Sequence, residues 1–249
     1  LSQLIRHCSE KVLDRENAAC HLSLLNAEWY MSNTTIYLHL PKTGGTSLGR
    51  AVMKYYDSEE IFLTATSILN EFGDQWRQVS RLDRWRAARE KFSTLSSTEK
   101  SKIKAIQGHM LFGWHEITPN ECSYVTFMRD PIKRAISHYL FLRRQEDHKV
   151  GKSIRENDIS VEKFFKSNIS AYVNNMQTRM ISGDYELNEK SLELAKHNID
   201  NYFEFVGLLE SFDESILAMS NILEWSSMPF YNKKRISKGG RICKSANHA

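Results

Sequence analysis

The chain has 249 residues, 41% of them hydrophobic and 26% charged, the balance of an ordinary globular protein with one substantial core. A net charge of +4 and a pI of about 8.8 suit an anionic small ligand but fall short of a nucleic-acid surface. No apolar run approaches the roughly 18 residues a membrane helix needs, and no basic-then-apolar leader is read.

Residues 1–30 place Leu1, Leu4, Ile5, Cys8 and Val12 at helical spacing, which predicts an N-terminal helix. The chain starts at Leu1 instead of Met, which leaves room for an upstream anchor or leader. Residues 36–40, IYLHL, form a short β-prone run that feeds into PKTGGTS, with a helix expected from about Ser47. Residues 58–101 read as mostly helical, with charged faces such as RLDRWRAAREKF. A second short strand is expected over 104–107, ending at Gly108-His109. The third, SYVTFM at 123–128, is broken by Arg129-Asp130-Pro131. Pro131 then opens a helix bearing Ile132, Ile136, Tyr139 and Leu140. FEFVGL at 203–208 is the fourth strand, and SFDESILAMSNILEW after it is helical.

Strands separated by helices predict an α/β fold with a central, mainly parallel sheet flanked by helices. No repeat, low-complexity stretch or linker interrupts the chain. A single domain is therefore expected over 1–249: an N-terminal helix at about 1–30, a core at about 34–228 and a basic segment at about 229–249. Cys8, Cys20, Cys122 and Cys243 include no CxxC pair, so they form no disulfide framework, although one isolated bridge stays open. The pairs His7-Cys8 and Cys20-His21 fit no zinc-finger spacing. Asn33 and Asn168 open glycosylation sequons, short patterns that often arise by chance.

In a parallel sheet, ligands gather at the carboxyl ends of the strands. Three chemically loaded clusters sit at such ends: PKTGGTS, GH and RDPIKRAIS. Gly44 and Gly45 let backbone amides approach an anion, and the helix N-terminus adds donors and partial positive charge. Lys42 brings a full charge, and Thr43, Thr46 and Ser47 bring hydroxyls. The order differs from the triphosphate loop GxxxxGK[ST], because Lys42 precedes the glycines. Arg129 offers a planar fork and Ser137 a short donor, a second anion grip. Two grips suggest a ligand with phosphate at two ends.

HLPKTGGTSLGR and YVTFMRDPIKRAISHYLFLR resemble the 5′-phosphosulfate loop and the 3′-phosphate motif of the sulfotransferases. The similarity is to the carbohydrate branch, the heparan sulfate 2-O and 6-O enzymes and their bacterial relatives. GHMLF, NNMQTRMISG and FEFVGLLESFDESI also look like family segments, so the resemblance runs from Ile36 to Trp225. It implies a P-loop-like three-layer domain and in-line sulfuryl transfer from 3′-phosphoadenosine 5′-phosphosulfate (PAPS), without a metal, to an acceptor hydroxyl on a saccharide.

On that resemblance Lys42 stands before the glycines in order to reach the oxygen bridging phosphate and sulfate. Thr43, Gly44, Gly45, Thr46 and Ser47 hold the 5′-phosphate, and Arg129 and Ser137 the 3′-phosphate. His109, at a strand end, matches the place of the base in related carbohydrate enzymes, with His115 in reserve and His39 expected to be packed within the first strand. Gln107 stands where the 2-O enzymes carry a second histidine. A small natural product with a hydroxyl or amine is the alternative acceptor. A P-loop kinase or ATPase and a noncatalytic nucleotide- or glycan-binding module are the rival classes. Neither a nucleic-acid partner nor a membrane segment within the chain is expected. The oligomeric state is open, and so is the compartment: cytoplasm for a bacterial member, Golgi lumen for a trimmed eukaryotic one.

Overall fold

The computed structural model describes residues 3–8, 34–167, 169–170 and 173–226. Five strands, β1 (Thr34–Leu38), β2 (Ile61–Leu63), β3 (Ala105–Gly108), β4 (Cys122–Met128) and β5 (Phe203–Leu208), form one sheet. Their order is β2-β3-β1-β4-β5, and each pairing is parallel. The expected α/β architecture and the four expected strands are present. β2 is the correction, since it falls inside the stretch read as mostly helical. Three residues give too few alternations to register as a strand, and Ile61 to Leu63 are fixed by pairing with β3, Phe62 opposite Ile106.

The central strands β1 and β4 are buried from both faces, as parallel strands covered by crossover helices must be, while the edge strand β2 is only half-buried. Along β1, Ile36 and Leu38 point into one core and Tyr37 into the other, the period-two alternation of a strand. The Tyr37 face is covered by α2 (Gly45–Val52) and α11 (Phe212–Ile222), through Leu48, Ala51, Val52, Ile216 and Met219. The other face is covered by α1, helical over residues 3–8, with α3 (Thr64–Phe72), α4 (Arg81–Ser93), α9 (Met176–Ser182) and α10 (Ser191–Tyr202). This is the three-layer, P-loop-like arrangement. The short α5 (Ser97–Lys102) leads into β3. A satellite core joins α6 (Pro131–Arg144), α7 (Lys149–Glu156) and α8 (Val161–Lys166) through Tyr139, Leu142, Ile154 and Phe164.

The rest of the expected N-terminal helix, the basic segment 229–249, Asn33, Asn168, Cys20 and Cys243 lie outside the described residues. Among the described residues, Cys8 and Cys122 form no disulfide with each other. Among the described residues, no helix is long and apolar enough to cross a membrane.

Because every pairing is parallel, the carboxyl ends of all five strands open on one edge. β1 lies at the centre, with β3 on one side and β4 on the other. Connections that leave in opposite directions from a central strand open a crevice beside it.

Candidate active site

A cavity of about 990 Å³ occupies that crevice. Lys42, Gly44, Gly45, Thr46, Ser47, His109, Arg129 and Ser137 all line it. The three clusters at strand ends therefore converge on one space.

The loop after β1 takes its shape from two left-handed residues, Lys42 at φ 71° and Gly44 at φ 88°. Such turns aim successive amides inward and form an anion-binding concavity. Gly44 also caps α2 with no side-chain cap bond; the Ser47 amide donates back to the Gly44 carbonyl at 2.9 Å, and a helix start of this kind receives anions at its remaining first-turn amides. Thr43 is the exception in the set: it is buried, and its hydroxyl donates to the Leu40 carbonyl at 2.8 Å. Both glycines are also demanded by packing. A Cβ on Gly44 would lie 2.8 Å from Leu209 Cδ1, and one on Gly45 only 1.7 Å from His39 Nε2.

The second grip is built from β4 and α6. Gln177, fully buried on α9, holds the Arg129 backbone at both ends. Its Oε1 accepts from the Arg129 amide at 3.0 Å, and its Nε2 donates to the Arg129 carbonyl at 2.9 Å. The guanidinium donates to the Lys42 carbonyl at 3.2 Å, which ties the two grips together. Asp130 caps α6 by accepting from the Lys133 amide at 2.8 Å, ahead of Pro131. Ser137, about two turns into α6, and Phe141, a turn further, face the same cavity, and the Lys42 ammonium sits 4.4 Å from the Phe141 ring centre.

His109 follows β3 directly. Its Nδ1 bonds the His39 main-chain carbonyl at 2.8 Å. A carbonyl only accepts, so Nδ1 carries the hydrogen and Nε2 keeps its lone pair. Burial holds the imidazole down to a pKa of about 4; the bond to His39 opposes this, and Arg81, Arg84 and Lys42 reinforce it. The ring is thus neutral at physiological pH, the state a proton acceptor requires.

His39 corrects the expectation of a histidine packed within the first strand. β1 ends at Leu38, and the half-buried His39 ring lines the cavity, stacked on His109 at 4.2 Å with 24° between planes. The reserve base, His115, is placed elsewhere: its Nδ1 meets the Tyr124 hydroxyl at 3.0 Å, and its ring packs with Phe112 and Tyr202. Gln107 lies against α2, where a Cβ on Gly49 would sit 2.3 Å from its Nε2.

Sequence reading missed the wall beyond His109, formed by Trp76, Arg81 and Arg84. The arginines lie three apart at the start of α4, and Arg84 sits 5.2 Å from the Trp76 ring centre. Their spacing was visible, but nothing local says that α4 brings them to the β3 end. His138 was missed as well. It is buried on α6, bonded to Ser170 Oγ at 3.0 Å, and burial with nearby Arg134 pushes its pKa down to about 3.

A model of the sulfotransferase family matches residues 32–247. No curated protein matches the chain. Among solved structures, mouse sulfotransferase SULT7A1 complexed with PAP is similar over 76% of this chain, at 15% identity and a TM-score of 0.41. The chain spans 58% of that mouse structure, less than two thirds of its length. A sulfotransferase from Alicyclobacillus acidocaldarius is similar over 80% of this chain and 83% of its own, also at 15% identity and a TM-score of 0.41.

Proposed function

Because the chain belongs to the sulfotransferase family, we propose that it moves a sulfuryl group from PAPS to an acceptor hydroxyl on a saccharide, with His109 as base. One observation carries the catalytic reading: a neutral imidazole, its tautomer fixed by the His39 carbonyl at 2.8 Å, shares a cavity with a lysine-bearing anion loop.

The residues present fit such a donor. The cavity of about 990 Å³ is large enough for a nucleotide with an acceptor beside it. The loop from Lys42 to Ser47 would hold the 5′-phosphosulfate, and Arg129 with Ser137 the 3′-phosphate. PAPS supplies an activated sulfuryl group on a stable leaving phosphate.

His109 Nε2 takes the proton of the acceptor hydroxyl as the acceptor oxygen forms its bond to sulfur. Departure of the sulfuryl group from the bound donor would leave the electron pair of the broken sulfur–oxygen bond on the phosphate oxygen. Lys42 and the amides at the start of α2 stabilise that growing charge. Positioning and charge do the work, as in phosphoryl transfer.

A saccharide is favoured by the wall on the β3 side, opposite the Arg129 grip. Trp76, with Arg84 against its ring, and Arg81 line it, an aromatic and guanidinium surface of the kind that suits a sugar ring and its oxygens. The kinase reading has less support, because Asp130, the acid it needs at a strand end, is engaged as the cap of α6.

Calorimetric titration with 3′-phosphoadenosine 5′-phosphate (PAP), set against magnesium ATP, tests the donor site. Labelled PAPS, offered with oligosaccharides, phenols and amines, tests the acceptor class. Loss of about 10²- to 10⁴-fold in kcat for His109→Ala, with PAP affinity retained, is the expected outcome. Tighter binding of ATP than PAP, or full activity in His109→Ala, would overturn it.

A further inference from the structure

We propose that the His39 side chain is the positioning residue of this site, a flat plate that holds the His109 ring at a fixed distance from the anion loop. This rests on the reading of His109 as the base.

Three contacts of His39 converge. Its amide donates to the Gly108 carbonyl at 2.9 Å, locking the end of β1 to the end of β3. Its carbonyl accepts from His109 Nδ1 at 2.8 Å. Its ring lies against Gly45, where a Cβ would fall 1.7 Å from Nε2, and stacks on His109 at 4.2 Å. The ring is therefore wedged between the loop that would hold the donor and the imidazole that would take the proton.

That arrangement does two things a carbonyl alone does not. The bond to the carbonyl fixes which nitrogen carries hydrogen but lets the His109 ring pivot about it; the stacked plate removes the pivot. The plate also covers one face of the imidazole and keeps water from it. The charged groups facing His109 are Lys42 on the loop and Arg81 and Arg84 on α4, all cationic. They add to the effect of burial in keeping the ring neutral. Burial and the nearby His109 and Lys42 likewise hold His39 itself well below the ordinary imidazole range, so the plate is an uncharged ring.

The test uses the folded chain loaded with PAP and labelled with ¹⁵N-histidine, so no acceptor is needed. The imidazole nitrogens of His109, assigned by their loss in His109→Ala, are followed by NMR from pH 8 to pH 3.5 in wild type, His39→Phe and His39→Ala. His39→Asn replaces His39→Ala if the latter does not fold. In wild type and His39→Phe, which keeps a planar ring, His109 is expected to stay in the Nδ1–H form and titrate near 4. Without the ring, its pKa should climb toward the ordinary value of about 6.5. In a separate assay, steady-state transfer from labelled PAPS to whichever of the oligosaccharides, phenols and amines takes label should fall about 10-fold or more in kcat for His39→Ala and recover in His39→Phe. Unchanged titration in His39→Ala and His39→Asn would overturn the inference. The base reading fails separately, if His109→Ala retains full transfer.

Discussion

Arg129 reaches across the end of β1 and donates from its guanidinium to the carbonyl of Lys42, 3.2 Å away and 87 positions earlier in the chain. The two proposed anion grips are thereby one structural unit, since the arginine of the second bonds the backbone that carries the lysine of the first. Arg129→Lys keeps the charge but loses the fork that serves the carbonyl and a phosphate together. PAP affinity is expected to fall about 10- to 100-fold, equivalent to about 1.4–2.8 kcal/mol, measured by calorimetry against wild type.

Gln177 is the least conspicuous part of that unit. It is fully buried and satisfies both the amide and the carbonyl of Arg129. Gln177→Leu leaves two backbone groups without their partner and should cost about 2–4 kcal/mol of stability. Chemical denaturation measures that loss. PAP binding by the folded fraction should weaken as well, because Arg129 is no longer aimed.

Gly45→Ala places a methyl group where the His39 ring lies. The ring has to move, and His109 stacked on it moves too. A displacement of about 1 Å at a reacting group costs on the order of 10² in rate. Transfer from PAPS is expected to drop by that order, measured as kcat at saturating donor.

The pH dependence has a defined sign. His109 is held down to about 4, so it remains unprotonated above that value. The acid limb of kcat/KM should fall near 4, and no loss from this group is expected between pH 8 and pH 5.

Stability follows the same direction for His138, whose folded pKa of about 3 lies below the ordinary imidazole value. Between about 6.5 and 3 the unfolded chain binds the proton that the folded chain refuses, so stability is lost as pH falls through that window. His138→Gln should flatten the decline of Tm with acid, by an amount corresponding to a few kcal/mol at pH 4.

The parts of the site legible in the sequence are the local ones. Lys42, Gly44, Gly45 and Arg129 lie at strand ends whose turn residues announce themselves, and all of them face the cavity. Thr43 belongs to the same motif, yet its hydroxyl satisfies the Leu40 carbonyl inside the turn. Local motif reading does not separate a hydroxyl that serves the loop from one that faces a ligand. β2 escaped because three residues carry no period. His39 was read as part of a strand that stops one residue earlier, and that single step turns its ring from the core to the cavity. Trp76, Arg81 and Arg84 reach the site only through the path of α3 and α4 past β3, a tertiary fact with no local signature.

Leu209 and Phe212, at the start of the segment after β5, fill the space a side chain on Gly44 would occupy. The loop's curvature is thus braced by apolar groups that themselves edge the cavity, and its amides are aimed before any anion arrives. A phosphate entering such a loop orders little chain, so association should run at the pace of diffusion and electrostatic steering. Shortening the side chain at Leu209 or Phe212 removes the brace but not the charge. Such a change should show itself in the dissociation rate: the donor would arrive as quickly and leave sooner.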